Sequence, residues 1–322
     1  AEAAAHPRNQ ENIRLHRAVN NLQMIRPVVL IDEQPWSELN TAGALPLRCK
    51  DPFYHPYEQY LRRKLYQWQH HPADMILTPF IPVTKKIGGE IGGLAVKEKT
   101  LATELANPIV SHSYEDQLAD PGDEMKIQMP HISYEKQATE DARDRLAEAI
   151  GDLLPVRLTG VSCYISQWDQ IAIYRGVTPL LIDLAERPDH AHAIMERMTR
   201  MYIERYRQFE ALGLLESEPY TIHCTPARCD DLPVPAEGEP VQRRHLWGRC
   251  MAQIFASVSP AMHETFEIAY QIQTMAPFGL VYYGCCEPLD RKIEIISKIP
   301  RLRKVSITPW ADVNLAAEAV GS

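Results

Sequence analysis

The stretch Phe278-Gly279-Leu280-Val281-Tyr282-Tyr283-Gly284-Cys285-Cys286-Glu287-Pro288-Leu289-Asp290 decides the fold. Its first half is a short apolar run rich in β-branched and aromatic residues, the pattern of a buried strand. The run breaks at Gly284. Two adjacent thiols, a carboxylate and a proline follow, and a helix is expected over 289–299. Soft ligands thus stand where a strand gives way to a helix. In a parallel α/β protein that edge faces the ligand cleft.

Working outward, the same alternation recurs on both sides. Strands are expected at 74–79, 155–160, 220–224, 252–256 and 305–307, with a short apolar run at 28–31. Apolar residues at helical spacing predict helices over 57–70, 139–150, 189–211, 260–275 and 311–320, and a weakly amphipathic one over 11–24. Ser259-Pro260 supplies a cap and a first-turn proline for the fourth of these, and Gly213 fits the end of the long helix. Helical connections imply parallel strands. Roughly six or seven strands can be counted, against the eight of a closed (β/α)₈ barrel. The fold class is therefore α/β, a TIM-type barrel expected to lack its last strand in this chain. Residues 81–138, with Gly88-Gly89, Gly92-Gly93 and Pro121-Gly122, read as a β-rich, lid-like insertion after the first barrel strand. Residues 1–72 read as a helical and extended segment packed on a barrel domain spanning 73–322.

Composition narrows the function. A chain of 322 residues, 45% hydrophobic and 24% charged, can bury a sizeable core. The net charge of -8 and the lack of any basic block argue against nucleic acid and anionic membranes as partners. No run reaches the length of a membrane span, and residues 1–10 lack the apolar core of a secretory signal. Seven cysteines, an odd number with one adjacent pair, read as reduced thiols in a cytoplasmic protein. The glycine pairs lack the context of a phosphate loop or a dinucleotide fingerprint, and no Gly-x-Ser-x-Gly elbow is present. Hydride transfer and serine hydrolysis are thereby disfavoured.

Three stretches resemble the uroporphyrinogen decarboxylase superfamily, which includes corrinoid- and thiol-dependent methyltransferases. The first is Pro155-Val156-Arg157-Leu158-Thr159-Gly160, followed by Arg187-Pro188-Asp189-His190 and a helix reaching Gly213. The second is Gln253-Ile254-Phe255-Ala256-Ser257-Val258-Ser259-Pro260, continuing through Phe266-Glu267-Ile268-Ala269-Tyr270. The third is the Cys285-Cys286 strand end, which falls where the methyltransferases carry a metal-binding segment. The form Tyr-Gly-Cys-Cys-Glu-Pro-Leu is similar to that of decarboxylase-like proteins of anaerobes grouped with O- and N-demethylating enzymes. The decarboxylase's arginine-rich N-terminal segment and its substrate-gripping aspartate have no counterpart here. Losing both the cationic grip and the central acid argues against a porphyrinogen substrate.

The resemblance implies a zinc-assisted methyltransferase. The methyl group would come from a methoxylated or methylated-amine small molecule, and the acceptor would be a corrinoid on a partner protein. Zinc takes thiolate, imidazole and carboxylate ligands and keeps an open position in catalytic sites. The expected metal ligands are Cys286, Cys285, His223 and Cys224. Side chains alternate along extended backbone, so only one of Cys285 and Cys286 is expected to point inward, with Cys286 preferred. Cys229, five residues beyond Cys224, is a further thiol within range. Gln253, Tyr283 and Glu287 are the expected catalytic residues. Trp168, Asp169, Trp247 and His263 are expected to bind substrate. The alternatives are a decarboxylase of a small or tetrapyrrole-like acid and a non-catalytic corrinoid- or tetrapyrrole-binding protein. Open barrel edges would suit a homo-oligomer.

Overall fold

The computed structural model describes residues 1–39, 43–102, 110–216 and 219–321; part of the expected insertion, residues 103–109, lies outside them. The chain is mixed α/β. It divides into two units, each assembled from three segments. The first comprises 1–87, 134–160 and 216–231, and the second 88–133, 161–215 and 232–322. Residues 1–72 lie within the first unit. Among the described residues no helix is long and apolar enough to cross a membrane.

The first unit holds the parallel pair Ile81–Thr84 and Val156–Thr159, in register from Ile81 opposite Val156 to Thr84 opposite Thr159. The helix Lys136–Ile150 packs on it, burying Ala142 and Leu146 against Ile81 and Val83. Tyr57 and Leu61, from the helix His55–His70, cover the same cluster. The strand expected at 74–79 does not form. Its backbone is claimed instead by side chains of the helix Pro7–Asn20. Asn9 accepts from the Leu77 amide at 2.8 Å and donates to the Leu77 carbonyl at 3.0 Å, Asn12 donates to the Met75 carbonyl at 2.8 Å, and His16 Nε2 lies 2.9 Å from the Asp74 carbonyl. Pro79 would also remove a ladder donor. The run 28–31 is likewise not a strand, because Asp74 accepts the Val29 amide at 2.9 Å while it pairs with Arg26. At 220–224 a two-residue antiparallel hairpin, Thr221–Ile222 with Thr225–Pro226, replaces the expected strand. The turn sits at His223, whose φ of 41° takes the chain out of extended geometry.

The second unit is built on the long helix Pro188–Ala211 and a three-stranded parallel sheet. Pro188 opens the helix, and Ile194, Met195, Met198, Met201, Tyr202, Tyr206 and Phe209 make its buried stripe. Its end is a Schellman motif. The Leu214 amide donates to the Phe209 carbonyl at 2.8 Å and the Gly213 amide to Glu210 at 3.1 Å, with Gly213 at φ 64°. The sheet order places Leu280–Tyr283 between Trp247–Cys250 and Leu302–Val305. The expected strand at 252–256 is instead a 3₁₀ turn, Gln253–Phe255, and the strand lies five residues earlier. The displacement has a local cause: Asp169 accepts from the Gln253 amide at 3.1 Å and the Ile254 amide at 2.8 Å, which caps a turn rather than extending a ladder. Within the expected insertion 81–138, Glu98–Leu101 lies antiparallel to Ser111–Tyr114, whereas its first residues, Ile81–Thr84, form the parallel strand of the first unit. None of the described sheets closes on itself.

Candidate active site at the sheet edge

Cys250, Tyr283 and Val305 are register partners across the three-stranded sheet, so the three strands end together. The Gly284 amide donates to the Cys250 carbonyl at 2.9 Å, and the Ser306 amide to the Tyr283 carbonyl at 2.9 Å. Beyond that line the middle strand turns. Gly284 has φ 106°, and a Cβ there would meet Leu289 Cδ1 at 2.6 Å and Ser306 Cβ at 3.0 Å. Both the conformation and the space require glycine.

That turn changes the fate of the two thiols. With the backbone no longer extended, neighbouring side chains need not alternate. Cys285 and Cys286 lie on one side with their sulfurs 3.7 Å apart, so the expectation that one must point away does not hold. Cys286 is exposed and Cys285 is half-buried. Burial first, and the neighbouring Cys286 thiol second, push the Cys285 thiol up to about 11. At neutral pH Cys285 is therefore a thiol rather than a free thiolate. A metal ion would remove its proton on binding. The sulfur spacing fits such an ion: zinc–sulfur bonds of about 2.3 Å at a tetrahedral centre put two thiolates about 3.8 Å apart.

Beneath the edge lies a buried polar layer. Glu287 is fully buried; its Oε2 accepts the Cys285 amide at 3.0 Å and its Oε1 has no partner. Burial raises its carboxyl above the usual range. Tyr283 Oη and His263 Nε2 are 2.6 Å apart, both fully buried, and burial drops the imidazole to about 3, so it stays neutral. Glu267 sits on a π-helical turn, Glu264–Ile268, and accepts from Gln271 Nε2 at 2.9 Å. Gln271 reaches Gln167, which donates to Thr199 at 2.9 Å. Burial raises the Glu267 carboxyl well above its ordinary value. Lys292 donates to the Phe255 carbonyl at 2.7 Å, and burial lowers its ammonium. π-turns inside helices recur at functional sites.

The sequence-derived candidates separate clearly. Cys285, Cys286, Glu287, Tyr283 and His263 are gathered at or below the edge. Asp169 is the cap of the 253–255 turn, and burial raises its carboxyl. Gln253 is exposed on that turn, not on a strand. Trp168 and Trp247 are core residues, each 1% exposed. The Trp168 indole donates to the Phe266 carbonyl at 2.9 Å, and Trp247 carries the Lys304 ammonium over its ring at 5.1 Å.

His223 and Cys224 belong to the first unit and meet a residue the sequence did not suggest. Among the described residues, one set of three metal-type ligand atoms lies within 4.8 Å of one another: Glu33, His223 and Cys224. Cys224 Sγ is 3.6 Å from Glu33 Oε1. Cys229 sits elsewhere in that unit, 3.4 Å from Asn21 Oδ1.

Sequence reasoning missed Arg249, Glu267, Gln271 and Lys292. Arg249 was hidden because it is the single charge in a short strand. Glu267 and Gln271 carried a weak signal, two polar residues four apart on the apolar face of an expected helix. Family models, curated proteins and solved structures provide no match to this chain.

Proposed function

We propose that the chain is a small-molecule methyltransferase of the corrinoid-linked type, with the Cys285–Cys286 pair as the seat of a zinc ion. The observation that carries this reading is the 3.7 Å sulfur separation at the C-terminal edge of a parallel sheet. The three-stranded parallel sheet of the second unit is of the kind that a (β/α)₈-type fold contains, which supports this reading. The resemblance of the 253–270 and 283–289 stretches to the decarboxylase superfamily supports the same conclusion.

Bound there, zinc would polarise the ether oxygen or amine nitrogen of a methyl donor as a Lewis acid. The chain's own groups do the rest. Cys285 and Cys286 hold the ion. Glu287 fixes the turn by accepting the Cys285 amide. The Tyr283–His263 pair and the Glu267 carboxyl, raised by burial, form a buried polar floor to the edge. The methyl acceptor would be a reduced corrinoid on a separate protein.

The test uses free cob(I)alamin as a stand-in acceptor with a panel of methoxylated aromatics and methylated amines. The expected result is formation of methylcobalamin, seen by its absorption, with at least one donor, and a loss of at least a hundredfold in C285S and C286S. Release of carbon dioxide from an acid with no methylcobalamin from any donor would instead favour the decarboxylase reading.

A further inference from the structure

We propose that Glu33, His223 and Cys224 form a second metal site, for a divalent transition ion such as zinc or cobalt, that ties two distant segments of the first unit together. One ligand atom from each lies within 4.8 Å of the others. The set is mixed, and carboxylate, imidazole and thiolate are the three kinds of protein group that zinc takes. Cys224 Sγ and Glu33 Oε1 are 3.6 Å apart. Zinc–sulfur bonds of about 2.3 Å and zinc–oxygen bonds of about 2.0 Å at a tetrahedral centre put two such atoms about 3.5 Å apart. The two groups therefore need almost no movement to share an ion.

The backbone explains how neighbouring residues come to converge. Along extended chain, His223 and Cys224 would face opposite ways. His223 instead has φ 41°, in the left-handed region that side chains rarely adopt. It stands at the turn of the hairpin made by Thr221–Ile222 and Thr225–Pro226. A sparsely populated conformation of this kind is often held where function needs it. Both arms are anchored away from the ligands. The Ala227 amide donates to the Tyr220 carbonyl at 2.9 Å across the hairpin. Two residues before Glu33, the Ile31 carbonyl accepts from Gln67 on the helix His55–His70. Glu33 and Cys224 are exposed and His223 is half-buried, so an ion reaches all three from solvent. Three protein ligands leave one position for water. With one thiolate where the sheet edge has two, and with most of its ligands wet, this site is the weaker. It fills when metal is added to protein whose thiol pair is already occupied.

The inference does not rest on the function proposed for the sheet edge, and its test takes that edge out of the measurement. Cobalt(II) is titrated under argon into the full chain carrying Cys285→Ser and Cys286→Ser together. A thiolate on cobalt gives a charge-transfer band in the near ultraviolet. The expected result is saturable binding of one equivalent with that band present. Adding Cys224→Ser should abolish the band. His223→Ala and Glu33→Gln should each weaken cobalt binding by about tenfold or more. Cys229→Ser, which changes a thiol outside the set, should leave the spectrum as it was. No band in the double variant, a band that survives Cys224→Ser or vanishes in Cys229→Ser, or undiminished affinity in His223→Ala or Glu33→Gln would overturn the proposal. Should the double variant not fold, zinc is counted by equilibrium dialysis in wild type and in Cys224→Ser. One ion fewer per chain is then expected in the variant, and equal counts overturn the proposal.

Discussion

Glu267 shows how much a single buried group can report. It is 0% exposed, and burial holds its carboxyl well above the ordinary value near 4.5. A raised folded-state value means the folded protein keeps a proton that the unfolded chain releases. Its contribution to stability is full below the unfolded value and is lost as pH rises toward the folded one. Glu267→Gln mimics the neutral carboxyl at every pH. The variant should therefore match wild type in acid and exceed it by on the order of 1 kcal/mol or more once the pH is well above 4.5. Melting temperatures across pH 4 to 9 measure this. A variant uniformly less stable at all pH values would show that the carboxyl is ionised and paired. Asp169 and Glu287 face the same layer and are raised by the same burial, so the curve of each belongs to the set rather than to one residue.

At the scale of elements, the helix Pro7–Asn20 replaces a strand partner with side chains. Asn9, Asn12, His16 and Asn20 are buried on one face, at spacings of three and four. Asn9 alone makes three bonds, to the Ala4 carbonyl at 2.8 Å and to both backbone groups of Leu77. Asn9→Ala leaves those buried groups unmade and should cost about 2 to 4 kcal/mol. Gln10→Ala, on the exposed side, should change stability by no more than about 0.5 kcal/mol. Urea midpoints compare the two.

The same helix shows why the sequence was legible only in part. Periodicity reads apolar burial well, and the long helix, the parallel strands around 156–159 and 280–283, and the Gly284 break were all visible to it. It cannot see a buried face made of asparagines that takes the backbone of 74–77, nor that Asp74 and Asp169 would take backbone amides and abolish strands at 28–31 and 252–256. The thiol pair was legible as a site because two soft ligands at a strand end are rare. Their joint orientation was not, since it depends on a positive φ at Gly284. Arg249 gave no signal at all, because the strand was expected at 252–256 and its buried Nε and Nη1, without hydrogen-bond partners, exist only in three dimensions.

For the molecule as a whole, the account hangs on which of two ligand groups takes zinc. One is the Cys285–Cys286 pair in the second unit. The other is Glu33, His223 and Cys224 in the first. They differ in chemistry: two sulfurs against one sulfur, one imidazole and one carboxylate. The most direct measurement is zinc K-edge X-ray absorption on the purified protein, with Cys285→Ser and Cys286→Ser beside it. The account predicts about one zinc per chain with two sulfur neighbours at about 2.3 Å, dropping to one in each variant. No bound zinc, or a shell of one sulfur with nitrogen and oxygen that is unchanged in both variants, would contradict it.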